Sequence, residues 1–202
     1  MKIALIGASG QAGSRILAEL SRRGHRLTAI ARDPSRIPAA PGVTAVALDI
    51  ADQATLVETL RGHDVVISAV QFSASDPDRL IAAVEEAGVR RYLVVGGAGS
   101  LDVAPGRMLV DTPDFPRQYR DEALGGVAFL DRLRRNDNLD WTFLSPSALF
   151  TQGERTGRFR LGTDQLLTHG TGSSISFEDY AVALADEVEQ PRHVRQRFTV
   201  GY

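Results

Sequence analysis

The chain contains no cysteine, which excludes disulfides, thiolate metal sites and a cysteine nucleophile. Lysine is almost absent: Lys and Arg total 23, and Lys2 is the only lysine among them. The net charge of −2 at pH 7 offers no basic field to a nucleic-acid backbone. No apolar run approaches the roughly 18 residues that a membrane-spanning helix needs. The first residues lead straight into an apolar stretch, without a basic region followed by an apolar one. A cytoplasmic protein is therefore expected. No G-x-S-x-G elbow supports a hydrolase, and no G-K-[ST] ending supports a nucleoside triphosphatase. The four histidines, His25, His63, His169 and His193, are dispersed without ligand spacing, so no metal site is expected. Internal repeats, low-complexity tracts and linkers are also missing, and residues 1–202 read as one domain.

What is present is an alternation of two periods. The 202 residues are 43% hydrophobic and 24% charged, enough to bury a substantial core. Short, continuous, β-branched apolar runs occupy 3–6, 27–31, 43–48, 65–70 and 92–95, as expected of strands buried on both faces. Helical patterns fill 11–23, 53–60 and 78–87 between them. Asp52 and Asp76 are expected N-caps, and Gly24 and Gly88 mark helix ends. Strand alternating with helix predicts a parallel sheet with right-handed crossovers. Residues 96–118 lose the pattern and hold four glycines and three prolines, which predicts a functional lid loop over 95–118. A helix is expected at 119–135, strands at 141–144, 157–161, 166–168 and 197–200, and a last helix at 177–188.

Residues 3–17, IALIGASGQAGSRIL, join the first strand to the first helix through Gly7, Gly10 and Gly13. Gly7 permits the tight turn, Gly10 lets a ligand approach the backbone, and Gly13 lets helix and strand pack closely. The helix start, at Gln11 and Ala12, offers unpaired N–H groups and a positive dipole end that suit a pyrophosphate. Ser9 adds a hydroxyl donor.

The G-x-x-G-x-x-G spacing resembles that of the extended and atypical short-chain dehydrogenase/reductases. Other segments carry the same resemblance: IAR ending at Arg32, LDI at 48–50, ISAV at 67–70, VVGGAGS at 94–100 and FLSPSALF at 143–150. Within that superfamily the chain is similar to the small NmrA-like NAD(P)H-binding proteins, provisionally described as NADH-flavin reductases. Biliverdin and flavin reductases of similar size are more distant relatives. The resemblance spans the whole chain, motif by motif in the first half and by general pattern in the last third. It implies an α/β, Rossmann-like doubly wound parallel sheet with a smaller substrate-side part at 145–202. It also implies that Asp49 and the Ile50 amide hold adenine, while Ala69, Val70 and Gln71 pass beneath ribose and pyrophosphate. Plain strand packing explains Ala69 and Val70 equally well. Gly96, Pro146 and Ser147 would border the nicotinamide.

A preference for NAD usually places an acid at the end of the second strand. Here the strand ends in Ala31 and Arg32, and a guanidinium suits the 2′-phosphate of NADP(H). Arg36 and Ser35 would add to that site; the other reading of Arg32 is a solvated strand-end arginine. Asp33 precedes Pro34 and reads as a turn former. NADP(H) is thus the expected cofactor, with NAD(H) as the alternative that the family's usual description suggests.

Most short-chain dehydrogenases pair a tyrosine with a lysine four residues later, the ammonium lowering the tyrosine pKa. The corresponding segment reads YRDEA, Tyr119 to Ala123, with alanine at the lysine position. Hydride transfer to a flavin, a quinone or a similar conjugated molecule needs less help from a protein acid and rests on positioning. Ser100 and Tyr119 are the residues expected to orient such an acceptor, although a loop-capping serine and a surface tyrosine read the same way. Leu149 and Phe150, with Met108, Pro113, Phe115 and Pro116, would wall or cover it. The expected function is an NAD(P)H-dependent oxidoreductase acting on a small-molecule acceptor, as a monomer or homodimer. A catalytically silent NADP(H)-binding redox sensor of the NmrA type is the alternative. A sugar-nucleotide epimerase is weakened by the missing lysine.

Overall fold

The computed structural model describes residues 1–170 and 172–202. The first half runs β1 (Lys2–Ile6), α1 (Gln11–Arg22), β2 (Arg26–Ala31), β3 (Val43–Ala47), α2 (Gln53–Leu60), β4 (Val65–Ser68), α3 (Pro77–Glu86) and β5 (Arg91–Val95). The second half runs β6 (Asp102–Ala104), β7 (Arg107–Met108), α4 (Arg120–Arg134), β8 (Asp140–Pro146), β9 (Leu149–Thr151), β10 (Arg160–Gly162), β11 (Ser174–Ser176), α5 (Phe177–Glu189) and β12 (Gln196–Gly201). Eight strands form one sheet in the order β10-β12-β8-β5-β4-β1-β2-β3. All its pairs are parallel except β10 with β12.

Strand alternation divides the core into two layers. Ile3 and Leu5 of β1 pack with Ile16, Leu17 and Leu20 of α1 and with Tyr180 and Leu184 of α5. Ala4 and Ile6 face the other way, toward Leu56 of α2, Leu80 of α3 and Phe129 of α4. The sheet is therefore covered on both faces, which explains why its strands read as unbroken apolar runs. β3 departs from that expectation. It lies at the sheet edge and leaves Thr44, Ala45 and Ala47 exposed.

Helix starts follow their capping residues. Asp52 accepts from the Thr55 amide, Asp76 from the amides of Asp78 and Arg79, and Ser176 from that of Asp179. Gly24 and Gly88 end helices at φ of +81° and +75°. The segment after β5 is not structureless: β6 and β7 pair as a hairpin, Leu109–Asp111 forms a single helical turn, and Leu101 and Val110 are buried. Residues 166–168 form no strand; the Leu166 amide instead donates to the Asp102 carbonyl. Among the described residues, no helix is long and apolar enough to cross a membrane.

β1 and β4 are neighbours, but the chain leaves them toward opposite sheet edges. Such a switch point opens a crevice at the carboxyl ends of the strands. Here that crevice lies between the turn after β1 and the segment after β4.

Candidate dinucleotide and acceptor site

Gly7 follows β1 at φ +84°, and its amide donates to the Ile30 carbonyl at 2.9 Å. A Cβ at Gly7 would lie 2.5 Å from the Ala69 carbonyl oxygen, so only glycine fits there. A Cβ at Gly13 would run into the Gly7 carbonyl, which explains the close packing of α1 on the turn. Gly10 has room for a Cβ only at 3.3 Å from that same oxygen. Unlike α2, α3 and α5, α1 has no side-chain cap. Its first-turn amides therefore have no side-chain acceptor and can meet an anion, as can those of α4.

Beside this turn lies a cavity of about 270 Å³. Gly7, Ser9, Gly10, Ala69, Val70 and Gln71 form its inner wall, and Arg32, Arg36, Asp49 and Ile50 its outer one. Gln11, Ala12 and Gly13 stand behind it: Gln11 is exposed, Ala12 packs on the core and Gly13 is buried. Asp33 does form a turn. Its carboxylate accepts from the Ser35 amide at 3.1 Å and hydroxyl at 2.6 Å, which holds its carboxyl below the ordinary value. That bond commits the Ser35 hydroxyl, so Ser35 lines no part of the cavity. Asp49 caps its own turn through the Ala51 amide at 2.9 Å and still borders the cavity.

A second cavity, of about 820 Å³, shares Ala69, Val70 and Gln71 with the first. The two form one cleft across the ends of β1, β4, β5 and β8. Gly96, Pro146 and Ser147 line the larger part, as do Leu149, Phe150, Phe115 and Pro116. Met108 and Pro113 do not. The Ser147 hydroxyl is committed to the Val200 carbonyl at 3.1 Å. Tyr119 borders the cavity while remaining 60% exposed.

Ser100 stands apart from the cleft. It is 8% exposed and lines neither cavity, and its hydroxyl accepts from Arg197 Nη1 at 3.2 Å. Arg197 is itself held by Asp164 at 2.8 Å. Ser100 therefore anchors the loop after β5 and sits outside both cavities.

Several residues of the cleft were invisible to sequence reasoning. Glu122, next to the alanine at the lysine position, accepts from the Phe72 amide at 2.8 Å, the Ser73 amide at 2.9 Å and the Ser73 hydroxyl at 2.6 Å. It pins the segment that follows Gln71. In sequence it reads only as a first-turn helix acid. Ser173 arrives through the pairing of β9 with β11, where it receives the amide of Leu149. Among the described residues, no group of three or more His, Cys, Asp or Glu could hold a metal ion.

The model of the NAD(P)H-binding family matches residues 7–191. The chain belongs to that family. Its glycine turn, mostly parallel sheet and cleft give this NAD(P)H-binding protein a Rossmann-like α/β fold. A nicotinamide dinucleotide fits the residues present, since the Gly7 cradle excludes any Cβ and the amides of α1 are uncapped. Three solved structures resemble this NAD(P)H-binding chain throughout. A Burkholderia pseudomallei protein provisionally named as exported is 46% identical, with TM-score 0.89 and 100% of both chains covered. A Bacteroides thetaiotaomicron protein provisionally named an epimerase is 40% identical, with TM-score 0.94, covering 100% of this chain and 96% of its own. A Streptococcus pneumoniae protein provisionally named an NADH-flavin reductase is 38% identical, with TM-score 0.82, covering 100% of this chain and 99% of its own.

Proposed function

We propose that the protein is an NADPH-dependent reductase that passes hydride to a conjugated small molecule without a tyrosine–lysine pair. The observation that carries this reading is the open, mostly apolar cavity that continues the dinucleotide cleft past Gln71. A protein that only senses the dinucleotide has no need of such a space beside the reactive ring.

Gly7, Gly10 and the first turn of α1 would hold the pyrophosphate, and Arg32 with Arg36 the 2′-phosphate. Asp49 and the Ile50 amide would take the adenine. Gly96 and Pro146 would border the nicotinamide, and Tyr119 at the cavity mouth would orient the acceptor. The bound dinucleotide supplies the hydride. That hydride would carry two electrons and one proton, and water would supply the second proton of the reduced acceptor. Phe72, Phe115 and Phe150 hold the acceptor flat and keep bulk water from its face. With Ala123 where the lysine would stand, the chain offers no ammonium to acidify Tyr119, so acceptors that stabilise their own reduced form are favoured. The Streptococcus protein's name supports this class of acceptor. The reading places the protein in the cytoplasm, where NADPH is kept reduced; the Burkholderia protein's name points to export, and cell fractionation decides between them.

The test is oxidation of NADPH and NADH with flavins and a short-chain quinone, beside binding titrations of both dinucleotides. Turnover well above the enzyme-free rate, fastest with NADPH, is expected. Tight binding with no turnover by any acceptor overturns the reductase reading in favour of a sensor.

A further inference from the structure

The two parts of the cleft carry opposite charge. The smaller cavity is bordered by Arg32, Arg36 and Asp49, which leaves it net positive. The larger is lined by no Lys, Arg or His among the described residues; its charged groups are Asp114 and Glu122. Glu122 is bonded by the amides of Phe72 and Ser73 and the Ser73 hydroxyl. These donors are neutral, so its negative charge stays in the wall. The nearby Arg120 points away and donates to the Val110 carbonyl at 3.0 Å.

The rest of the larger cavity is aromatic and aliphatic. Phe72 is fixed in place: its ring stacks on Phe143 at 6.0 Å and meets Phe129 edge-on at 5.5 Å. Gly125 and Gly126 of α4 leave it no slack, since a Cβ at either would lie 2.8 or 3.0 Å from it. A rigid aromatic wall suits a flat ring. Two carboxylates without a cation repel a phosphate, which carries a charge of about −2 near neutral pH.

We propose that the acceptor is an uncharged conjugated ring, such as riboflavin or an unsubstituted quinone, and that phosphate- or sulfonate-bearing acceptors are selected against by Asp114 and Glu122. The inference rests on the reductase reading and narrows it. Phosphate belongs to the dinucleotide half of the cleft, and the acceptor half rejects it.

The experiment compares matched pairs that share a ring and differ in charge: riboflavin against FMN, and 1,2-naphthoquinone against its 4-sulfonate. Two readouts are taken, kcat/KM with NADPH and equilibrium binding to the NADP⁺-loaded protein, the flavins followed by fluorescence quenching. The uncharged member of each pair is expected to win by about tenfold or more in both. The gap should narrow as salt rises from about 20 mM to about 500 mM, because screening weakens the repulsion. Asp114→Lys should shrink it further. FMN bound and reduced as well as riboflavin overturns the inference while leaving the reductase reading intact. Selective riboflavin binding without turnover does the reverse. No binding and no turnover with either pair overturns both.

Discussion

The smaller part of the cleft, proposed for the dinucleotide, is walled by backbone at Gly7, Gly10 and Ala69 and carries two arginines and Asp49. The larger part, proposed for the acceptor, is walled by side chains, chiefly Phe72, Phe115 and Phe150, and carries two carboxylates. The first is assembled largely from one βα turn and the strand ends beside it. The second draws on β5, α4, β8 and β9, with Ser173 arriving from close to β11. A backbone cradle recognises a group that every dinucleotide shares, so its geometry is fixed by glycine. A side-chain cavity recognises whatever ring the protein uses, so its chemistry is set residue by residue. The hinge between them is Ala69–Gln71, common to both.

The comparison breaks most severely at Gly10. Gly10→Val should lower NADPH affinity by about a hundredfold or more, because branched carbons would fill the approach to the first-turn amides. Folding should survive with a small shift of the turn, since Gly10 has φ −75° and a Cβ would lie 3.3 Å from the Gly7 oxygen, a tight but not overlapping contact. Calorimetric titration with thermal unfolding checks both halves of that statement. Unchanged NADPH affinity would remove the cradle from the site.

Arg32→Glu should swing the NADPH-to-NADH preference by about thirtyfold, through loss of a charge-assisted contact and gain of a repulsive one. A constant ratio of the two dissociation constants would mean that Arg32 is only a solvated strand end.

Glu122→Ala sharpens the boundary. It removes three hydrogen bonds from the segment at Phe72 and Ser73, and acceptor KM should rise about tenfold. NADPH affinity should change by less than about twofold. An equal loss on both sides, measured by titration and steady-state kinetics, would show that the halves are not separable.

The smallest effect concerns the joint between the halves. Glu19 of α1 is bonded by Arg155, in the stretch after β9, at 2.9 Å and 3.0 Å. Burial works to raise its carboxyl, but hydrogen bonds from Arg155, Arg22 and Arg23 outweigh it and hold the group far below its ordinary 4.5. The folded value is depressed, so this contribution is complete above 4.5 and is lost as pH falls below it. Thermal unfolding should therefore show wild type losing more stability than Glu19→Gln between about pH 5 and about pH 3, by about 1–2 kcal/mol. Parallel pH curves for the two proteins would discount the joint.

How much of this was legible depended on how local the cause was. β1, β2, β4 and β5 announce themselves because burial on both faces demands unbroken apolar runs. Asp52 and Asp76 announce helix starts because a capping carboxylate acts within three residues. β3 misled because an edge strand in a parallel sheet keeps apolar composition while residues on both its faces, Thr44, Ala45 and Ala47, stay exposed. β9 and β11 were missed because three residues make no period, and each exists only because the other lies beside it. Ser100 read as an acceptor contact because its partner, Arg197, stands 97 residues away.

The sequence by itself determined the turn at Gly7, Gly10 and Gly13, the alternation of strand and helix, the arginine at the end of β2 and the absence of any lysine at position 123. Each is a matter of backbone conformation, periodicity or residue identity within a few positions. Only the tertiary structure decided that Glu122 would pin Phe72, that Ser100 would turn to Arg197, and that the larger cavity would hold carboxylates and, among the described residues, no cation. Those outcomes depend on which distant side chains meet across the sheet ends, and no local preference encodes such meetings.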